Sequence, residues 1–263
     1  IANCKQGLFT ISGPTGSGKT TTLYSLLNDI SSVKKNITTI EDPVERSIPG
    51  ITQIEINNSI DLTYSKILKS VLRQDPDVIL IGEVRDEESA KYAVNAAVTG
   101  HLVLTTVHTN NSIDILHKFK SFGIDSYTLS SSLIGSLAQR LIPSICKACK
   151  AQKPITPDEF EFLSLHLPQT SVPDRLHYGK GCPACNNTGY KGRIPVLEYW
   201  RKSAEVRPII AKEHFDEDEL VTALRNQKFR SLLEFGLYMV LHGLTSIDQV
   251  QSALPGYNYK ARA

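Results

Sequence analysis

The sequence predicts an α/β fold built on a mostly parallel twisted sheet, and three observations carry that prediction. Apolar or β-branched runs alternate with helix-periodic stretches along the first 143 residues, the pattern of strands joined by crossover helices. The run Val78-Ile79-Leu80-Ile81 is apolar without alternation, as a strand buried on both faces requires. The glycine-rich segment GPTGSGKT at 13–20 follows the apolar run Leu8-Phe9-Thr10-Ile11 and precedes a helix-compatible stretch. In that strand–loop–helix context such a loop cradles phosphate.

In chain order, residues 1–7 are a lead-in carrying the odd cysteine, Cys4, 8–12 a strand and 13–19 the phosphate loop. Gly13, Gly16 and Gly18 let the backbone turn tightly and aim its N–H groups at phosphate oxygens. Lys19 adds a point charge for the β/γ-phosphates, and the Thr20 hydroxyl suits Mg²⁺. With Pro14, Thr15, Ser17 and Thr21 these form the expected nucleotide-binding set. A helix is expected over 20–30, with Leu23, Leu26, Leu27 and Ile30 on one face and its positive end toward the anion. Residues 31–36 read as a polar connection.

The strand expected over 37–40 ends in Glu41-Asp42-Pro43-Val44-Glu45. Acids at a strand end beside a phosphate loop are placed to reach Mg²⁺ or a water. Glu41 is the first candidate and Asp42 and Glu45 are lesser ones, while Pro43 stops the strand. A short strand over 53–56 precedes a helix over 63–74, whose stripe Tyr64, Ile67, Leu68, Val71, Leu72 reads as core. Asp75-Pro76-Asp77 breaks it. The strand over 78–83 has Walker B form, with Gly82 where many NTPases carry the Mg²⁺-binding Asp. Glu83 then serves the metal, the attacking water, or both. Asp86 is placed to cap a helix over 87–98.

A further strand over 101–107 ends at His108, a candidate contact to the γ-phosphate by analogy of fold. His101, at the other end, is a lesser candidate. Ser112 is expected to cap a helix to about 121, ended by Gly123. A second helix is expected over 127–141, with Leu129, Leu133, Ile134, Leu137 and Leu141 on its face and Gln139 and Arg140 near its end. Pro143 then closes a RecA-like core over 1–143.

Cys146-Lys-Ala-Cys149 and Cys182-Pro-Ala-Cys185 are two CxxC pairs. Two such knuckles complete a tetrahedral S₄ site, most naturally for structural Zn²⁺. Two disulfides or an iron–sulfur cluster are the alternatives that spacing leaves open. The metal would staple a small subdomain over 144–200, whose helix starts at Thr156-Pro157-Asp158-Glu159 with Phe160, Phe162, Leu163 and Leu165 as apolar material. Residues 186–192 read as a turn and 193–199 as a strand. A helical region over 201–263 follows, with segments from about 206, over 215–225, over 231–241 and, capped by Thr245, over 246–254. The tail over 257–263 reads as frayed.

The bulk numbers exclude more than they assign. The 263 residues are 41% hydrophobic and 21% charged with a net charge of +2, which neither demands nor excludes a nucleic-acid or lipid partner. No apolar run approaches the roughly 18 residues of a membrane span, and no secretory signal is visible. Because the chain begins almost at a strand, a further segment is expected upstream.

With the motifs in order, the chain resembles the type II secretion and type IV pilus ATPase family, in its C-terminal motor domain. The resemblance rests on GPTGSGKTTTLY at 13–24, TIEDPVE at 39–45, LRQDPDVILIGEVRD at 72–86, TGHLVLTTVHTN at 99–110, the paired CxxC motifs and GLTSIDQV at 243–250. It covers nearly the whole chain. The tetracysteine motif is similar to that of assembly members, and the compact C-terminal end is similar to competence-pilus ATPases of Gram-positive bacteria. The resemblance implies a cytoplasmic homo-hexamer at the inner face of the cell membrane. It would hydrolyse ATP to ADP at subunit interfaces and be peripheral to the membrane through its partners. Its stroke would pass to an inner-membrane platform protein that adds pilin-like subunits to a filament. Lys19 and Thr20 then take nucleotide and Mg²⁺, Glu41 and Glu83 the acidic catalytic roles, and His108 the phosphate contact. The family's N-terminal domain, which contributes arginines to the site, is outside this sequence. The rival readings are a non-catalytic ATP-binding scaffold and a RecA-like nucleic-acid motor. The motor would need a basic, aromatic-bearing channel, and no such cluster is present, so no nucleic-acid partner is expected.

Overall fold

The computed structural model describes residues 1–31 and 35–254. The expected connection over 31–36 therefore lies partly, and the tail over 257–263 wholly, outside the described residues.

The elements follow in order: β1 (Gly7–Ser12), α1 (Lys19–Ile30), β2 (Ile37–Glu41), β3 (Thr52–Glu55), α2 (Tyr64–Val71), β4 (Val78–Ile81), α3 (Glu87–Val98), β5 (Leu102–Val107), α4 (Asp114–Ser121) and α5 (Ser126–Ser132). Then come β6 (Leu133–Ile145), β7 (Lys150–Pro154), α6 (Pro157–His166), β8 (Arg175–Gly179), β9 (Tyr190–Arg201), α7 (Val206–Ile210), α8 (Glu217–Arg225), α9 (Leu232–Leu241) and α10 (Ile247–Ala253). Seven strands form one sheet in the order β3-β2-β4-β5-β1-β6-β9. The pairs β2·β3, β2·β4, β4·β5, β1·β5 and β1·β6 are all parallel. The mostly parallel α/β sheet read from the sequence is thus present.

The chain divides into two compact units. The first comprises Ile1–Thr15, Lys19–Ala138 and Tyr199–Phe229. Its central strands are buried end to end, as crossover helices on both faces of a parallel sheet demand. Ala90, Ala93, Val94 and Ala97 of α3 pack into a core that includes Ile79, Val103 and Phe119. The small alanines let the helix axis approach the sheet closely. As expected, Asp86 caps α3, its carboxylate accepting from the Ser89 amide at 2.8 Å. Ser112 does not cap α4, whose N-cap position is Ile113; ahead of it Asn111 Oδ1 accepts from the Ile113 and Asp114 amides at 2.9 and 2.7 Å. Ser112 instead offers its carbonyl to Trp200 Nε1 at 3.0 Å.

The largest correction concerns 127–141. Only Ser126–Ser132 is helical, and Leu133–Ile145 is a strand, with Pro143 inside it. Leucine, alanine, glutamine and arginine favour a helix locally, but pairing with β1 decides the outcome, Phe9 facing Gly135 and Ile11 facing Leu137. Gly135 shows why a strand fits: a Cβ there would lie 2.5 Å from the Trp200 carbonyl oxygen, so the neighbouring backbone needs a residue without one.

The second unit comprises Gly16–Gly18, Gln139–Glu198 and Arg230–Ala263. The sequence did not announce its antiparallel pair of β7 and β8, with α6 between them in the chain. The helix start at Thr156 is as expected, a capping box with Glu159. Of the apolar residues on α6, Leu163 is buried, whereas Phe160 and Leu165 are exposed. Ser231 caps α9 in a second capping box. Thr245 is not a cap, because its hydroxyl donates to the Pro143 carbonyl at 2.9 Å and Ser246 occupies the N-cap of α10.

Candidate functional site

The carboxyl ends of β2, β4 and β5, with the loop after β1, converge on a cleft of about 250 Å³. Lys19, Thr20, Glu41, Glu83 and His108 all line it, so the first unit brings the sequence-picked residues together. A larger cavity of about 530 Å³ beside α7 and α8 contains none of them.

The loop from Gly13 to Gly18 joins β1 to α1, which begins at Lys19. Gly16 and Gly18 take φ of +77° and +88°, values that only glycine adopts without strain. Lys19 Nζ donates to the carbonyls of Gly13 and Pro14 at 2.8 and 3.1 Å, so its charge rests on the loop. Pro14, Thr15 and Thr21 are exposed. Ser17 is buried, and its hydroxyl is without a hydrogen-bond partner among the described residues. A phosphate oxygen suits both the orphaned donor and the loop-bound cation. In the second unit Gln139 Nε2 donates to the Ser17 carbonyl at 2.7 Å, a brace that the helical reading of 127–141 concealed.

Glu83 lies two residues beyond β4. Its segment is tied on both sides: the Gly82 amide donates to the Ile40 carbonyl, the Val84 amide donates to the Thr106 carbonyl, and Thr106 Oγ1 donates to the Gly82 carbonyl. Gly82 admits no side chain cheaply, since a Cβ would sit 3.1 Å from the Tyr64 hydroxyl and 3.2 Å from the Ile40 carbonyl oxygen. The Glu83 carboxylate is engaged at both oxygens, by His108 Nε2 at 2.9 Å and by Arg85 Nε at 2.7 Å. Arg85 also stands 3.9 Å from Asp42. Its hydrogen bond to Glu83 pushes the guanidinium pKa further up. Sequence reading assigned Arg85 nothing, although its position two residues after a strand-end acid was the available signal.

Glu41 ends β2 and is 4% exposed. Its Oε1 accepts from Thr39 Oγ1 at 2.6 Å and Gln53 Nε2 at 3.1 Å, and its Oε2 accepts from the Tyr24 hydroxyl. Burial, then the contact with Glu41, pushes the Tyr24 phenol up to about 12, so it remains a donor. Tyr24 was not on the expected face of α1; it is buried where the expected Leu26 is only half-buried. Asp42 and Glu45 are exposed and line the cleft. Tyr64 lines it too, its phenol raised to about 12 by burial and then by Asp42. His101 lies at the opposite end of β5, its Nδ1 2.9 Å from the Ala96 carbonyl oxygen at the end of α3.

In the second unit Cys146, Cys149, Cys182 and Cys185 bring their sulfurs within 4.8 Å of one another. The distances are 4.0 Å for 146–182, 3.9 Å for 149–185 and 3.7 Å for 182–185. A tetrahedral ZnS₄ site with bonds of about 2.3 Å has edges of about 3.8 Å. The four cysteines are free thiols, not two disulfides. Burial works to raise the Cys185 thiol, but the amides of Cys182 and Gly189, each 3.3 Å from its sulfur, outweigh it and bring it below the usual range. The donor set fits a zinc ion.

The family model described as type II/IV secretion system protein matches residues 1–252. The putative type II secretion system protein E of Escherichia coli is 40% identical over 246 residues, 93% of this chain and 49% of that protein. The type IV pilus assembly ATPase PilB of Thermus thermophilus is 41% identical over 245 residues, 93% of this chain and 27% of that protein. The chain thus spans about half or less of the length of the curated relatives it matches. Among solved structures, the pilus retraction motor PilT with bound ADP is similar with a TM-score of 0.70 at 27% identity, over 97% of this chain and 63% of that one. Among the described residues no helix is long and apolar enough to cross a membrane.

Proposed function

Because this chain belongs to the type II/IV secretion system protein family, we propose that it is an ATP-hydrolysing motor domain that drives assembly of a type IV pilus, competence pseudopilus or type II secretion pseudopilus. The observation that carries this reading is Glu83, held between His108 and Arg85 in the cleft that Lys19 and Thr20 also line. Water attack on a γ-phosphate needs positioning and charge neutralisation more than covalent chemistry. The 13–20 loop binds the phosphates, and Lys19 turns from its own carbonyls to the β/γ oxygens. Thr20 holds Mg²⁺, which supplies charge neutralisation when bound. Glu83 orients the water, and His108 contacts the γ-phosphate.

The tetracysteine site would hold structural Zn²⁺ and staple the segment over 144–200. The motor works as a homo-hexamer on the cytoplasmic side of the inner membrane, against a platform protein. Relatives named as a type II secretion protein E and a pilus assembly ATPase support this placement. Phosphate release from ATP, measured beside Glu83→Gln, tests it. Turnover in the wild type that is lost in a variant still binding ATP is the expected result. Equal turnover in both overturns the role of Glu83, and binding without turnover in the wild type favours a non-catalytic scaffold.

A further inference from the structure

Two acids end adjacent parallel strands in the cleft, and their surroundings separate their roles. The partners of Glu83 are both half-exposed, so either can swing away and leave a carboxylate oxygen for water. The partners of Glu41 are Tyr24 and Thr39, both buried, and Gln53 on β3. Approaching a cation or a water would oblige Glu41 to abandon buried donors, each of which costs its full desolvation when left unpaired.

Gln53 carries the network outward. Its Nε2 also donates to the Arg46 carbonyl at 3.1 Å, and its Oε1 accepts from the Ile48 amide at 2.7 Å. Glu55, two residues along β3, accepts from the Val44 amide at 3.1 Å. The Arg46 guanidinium lies 5.4 Å from the centre of the Tyr24 ring. Residues 42–50, which bring Asp42 and Glu45 to the cleft, are therefore tied to β3 at Val44, Arg46 and Ile48, and to α1 through Tyr24.

We propose that Glu41 is a positioning residue that touches neither nucleotide, cation nor water. It acts through Gln53 and Tyr24 to fix the 42–50 turn, and with it Asp42 and Glu45, at the cleft. This rests on the reading of the cleft as an ATP-hydrolysing site. Glutamine at 41 retains the arrangement: its carbonyl oxygen accepts from Thr39 and Gln53, and its amide faces the Tyr24 oxygen, which can accept.

The test compares steady-state hydrolysis and amide exchange in wild type, Glu83→Gln, Glu41→Gln and Gln53→Ala. Glu41→Gln is expected to keep kcat within about threefold, with the Mg²⁺ half-saturation unchanged. Gln53→Ala is expected to lower kcat about tenfold or more while the KM for ATP stays within about twofold, because misplaced cleft groups cost rate and the phosphate loop is untouched. The Ile48 amide should exchange faster in Gln53→Ala and at the wild-type rate in Glu41→Gln. Loss of turnover in Glu41→Gln as deep as in Glu83→Gln, or a raised Mg²⁺ requirement, overturns the proposal. So does unchanged Ile48 exchange or unchanged kcat in Gln53→Ala. Failure of the ATPase reading looks different: wild type itself does not turn over, and the exchange measurement still decides whether Glu41 and Gln53 hold the turn.

Discussion

His108 Nε2 lies 2.9 Å from Glu83 Oε1, and parallel pairing puts it there. In β4 and β5, Ile81 stands opposite Thr105, so the residues just beyond each strand emerge side by side at the carboxyl edge. The expected outcome of His108→Ala is a Glu83 free to turn toward Arg85 alone, and a fall in kcat of about tenfold with ATP affinity little changed. Stopped-time phosphate release and nucleotide titration check it. Wild-type turnover in His108→Ala would remove the histidine from the mechanism.

The sulfur tetrad predicts one tightly held metal ion per chain, measured by elemental analysis. Cys185→Ser should lose it, because the replaced sulfur also anchors the amides of Cys182 and Gly189. The β7–β8 pair would then lose its staple, costing about 2 kcal/mol or more and lowering the melting temperature by roughly 5 °C. A metal-free wild type that melts like the variant would contradict the assignment.

The sequence spoke clearly wherever one residue type had one physical use. GPTGSGKT, the strand-end acids and the CxxC pairs stood out because each sets chemically distinctive groups at a specific spacing, and the structure brings Lys19, Thr20, Glu41, Glu83 and His108 to one cleft and the four cysteines to one cluster. It was misleading over 127–141, where helix-favouring side chains occupy a strand held by β1, and only Gly135 hinted at a close backbone. It was silent on Tyr24 and Gln53, and for Arg85 it offered only nearness to a strand-end acid. Their importance lies in contacts across 17, 12 and two positions respectively, and the two longer separations are set by the sheet order rather than by local pattern. Asn111 rather than Ser112 holds the amides at the start of α4, because an Asx side chain reaches the amides two and three residues on.

Gly82→Ala should cost about 1–3 kcal/mol, as overpacking does, because the new methyl meets the Ile40 carbonyl oxygen and the Glu41 Cα at 3.2 and 3.4 Å. Both are backbone and cannot give way as a side-chain tip would. The displaced segment carries Glu83, so turnover should fall as well. Urea unfolding and kcat together check this. A variant equal to wild type in both would show that the strand end has slack.

Lys202 gives a pH signature separate from the cleft. Its ammonium donates to the carbonyls of Ser130 and Ser131 at 2.6 and 3.0 Å, at the end of α5. Burial, with a smaller push from Arg207, lowers its pKa to about 8. The unfolded chain keeps this lysine protonated to about 10.4. Between those values the unfolded state binds more protons, so stability should rise with pH from 8 to about 10.4, and the penalty is fully present below 8. The side chain is only partly buried, and solvent screening reduces the gain to about 1 kcal/mol. Denaturant unfolding at pH 8 and pH 10, in wild type and Lys202→Met, isolates the effect. The methionine variant has no proton to lose at this site, so its stability should lack that rise, and a rise of equal size in both proteins would assign it to other groups.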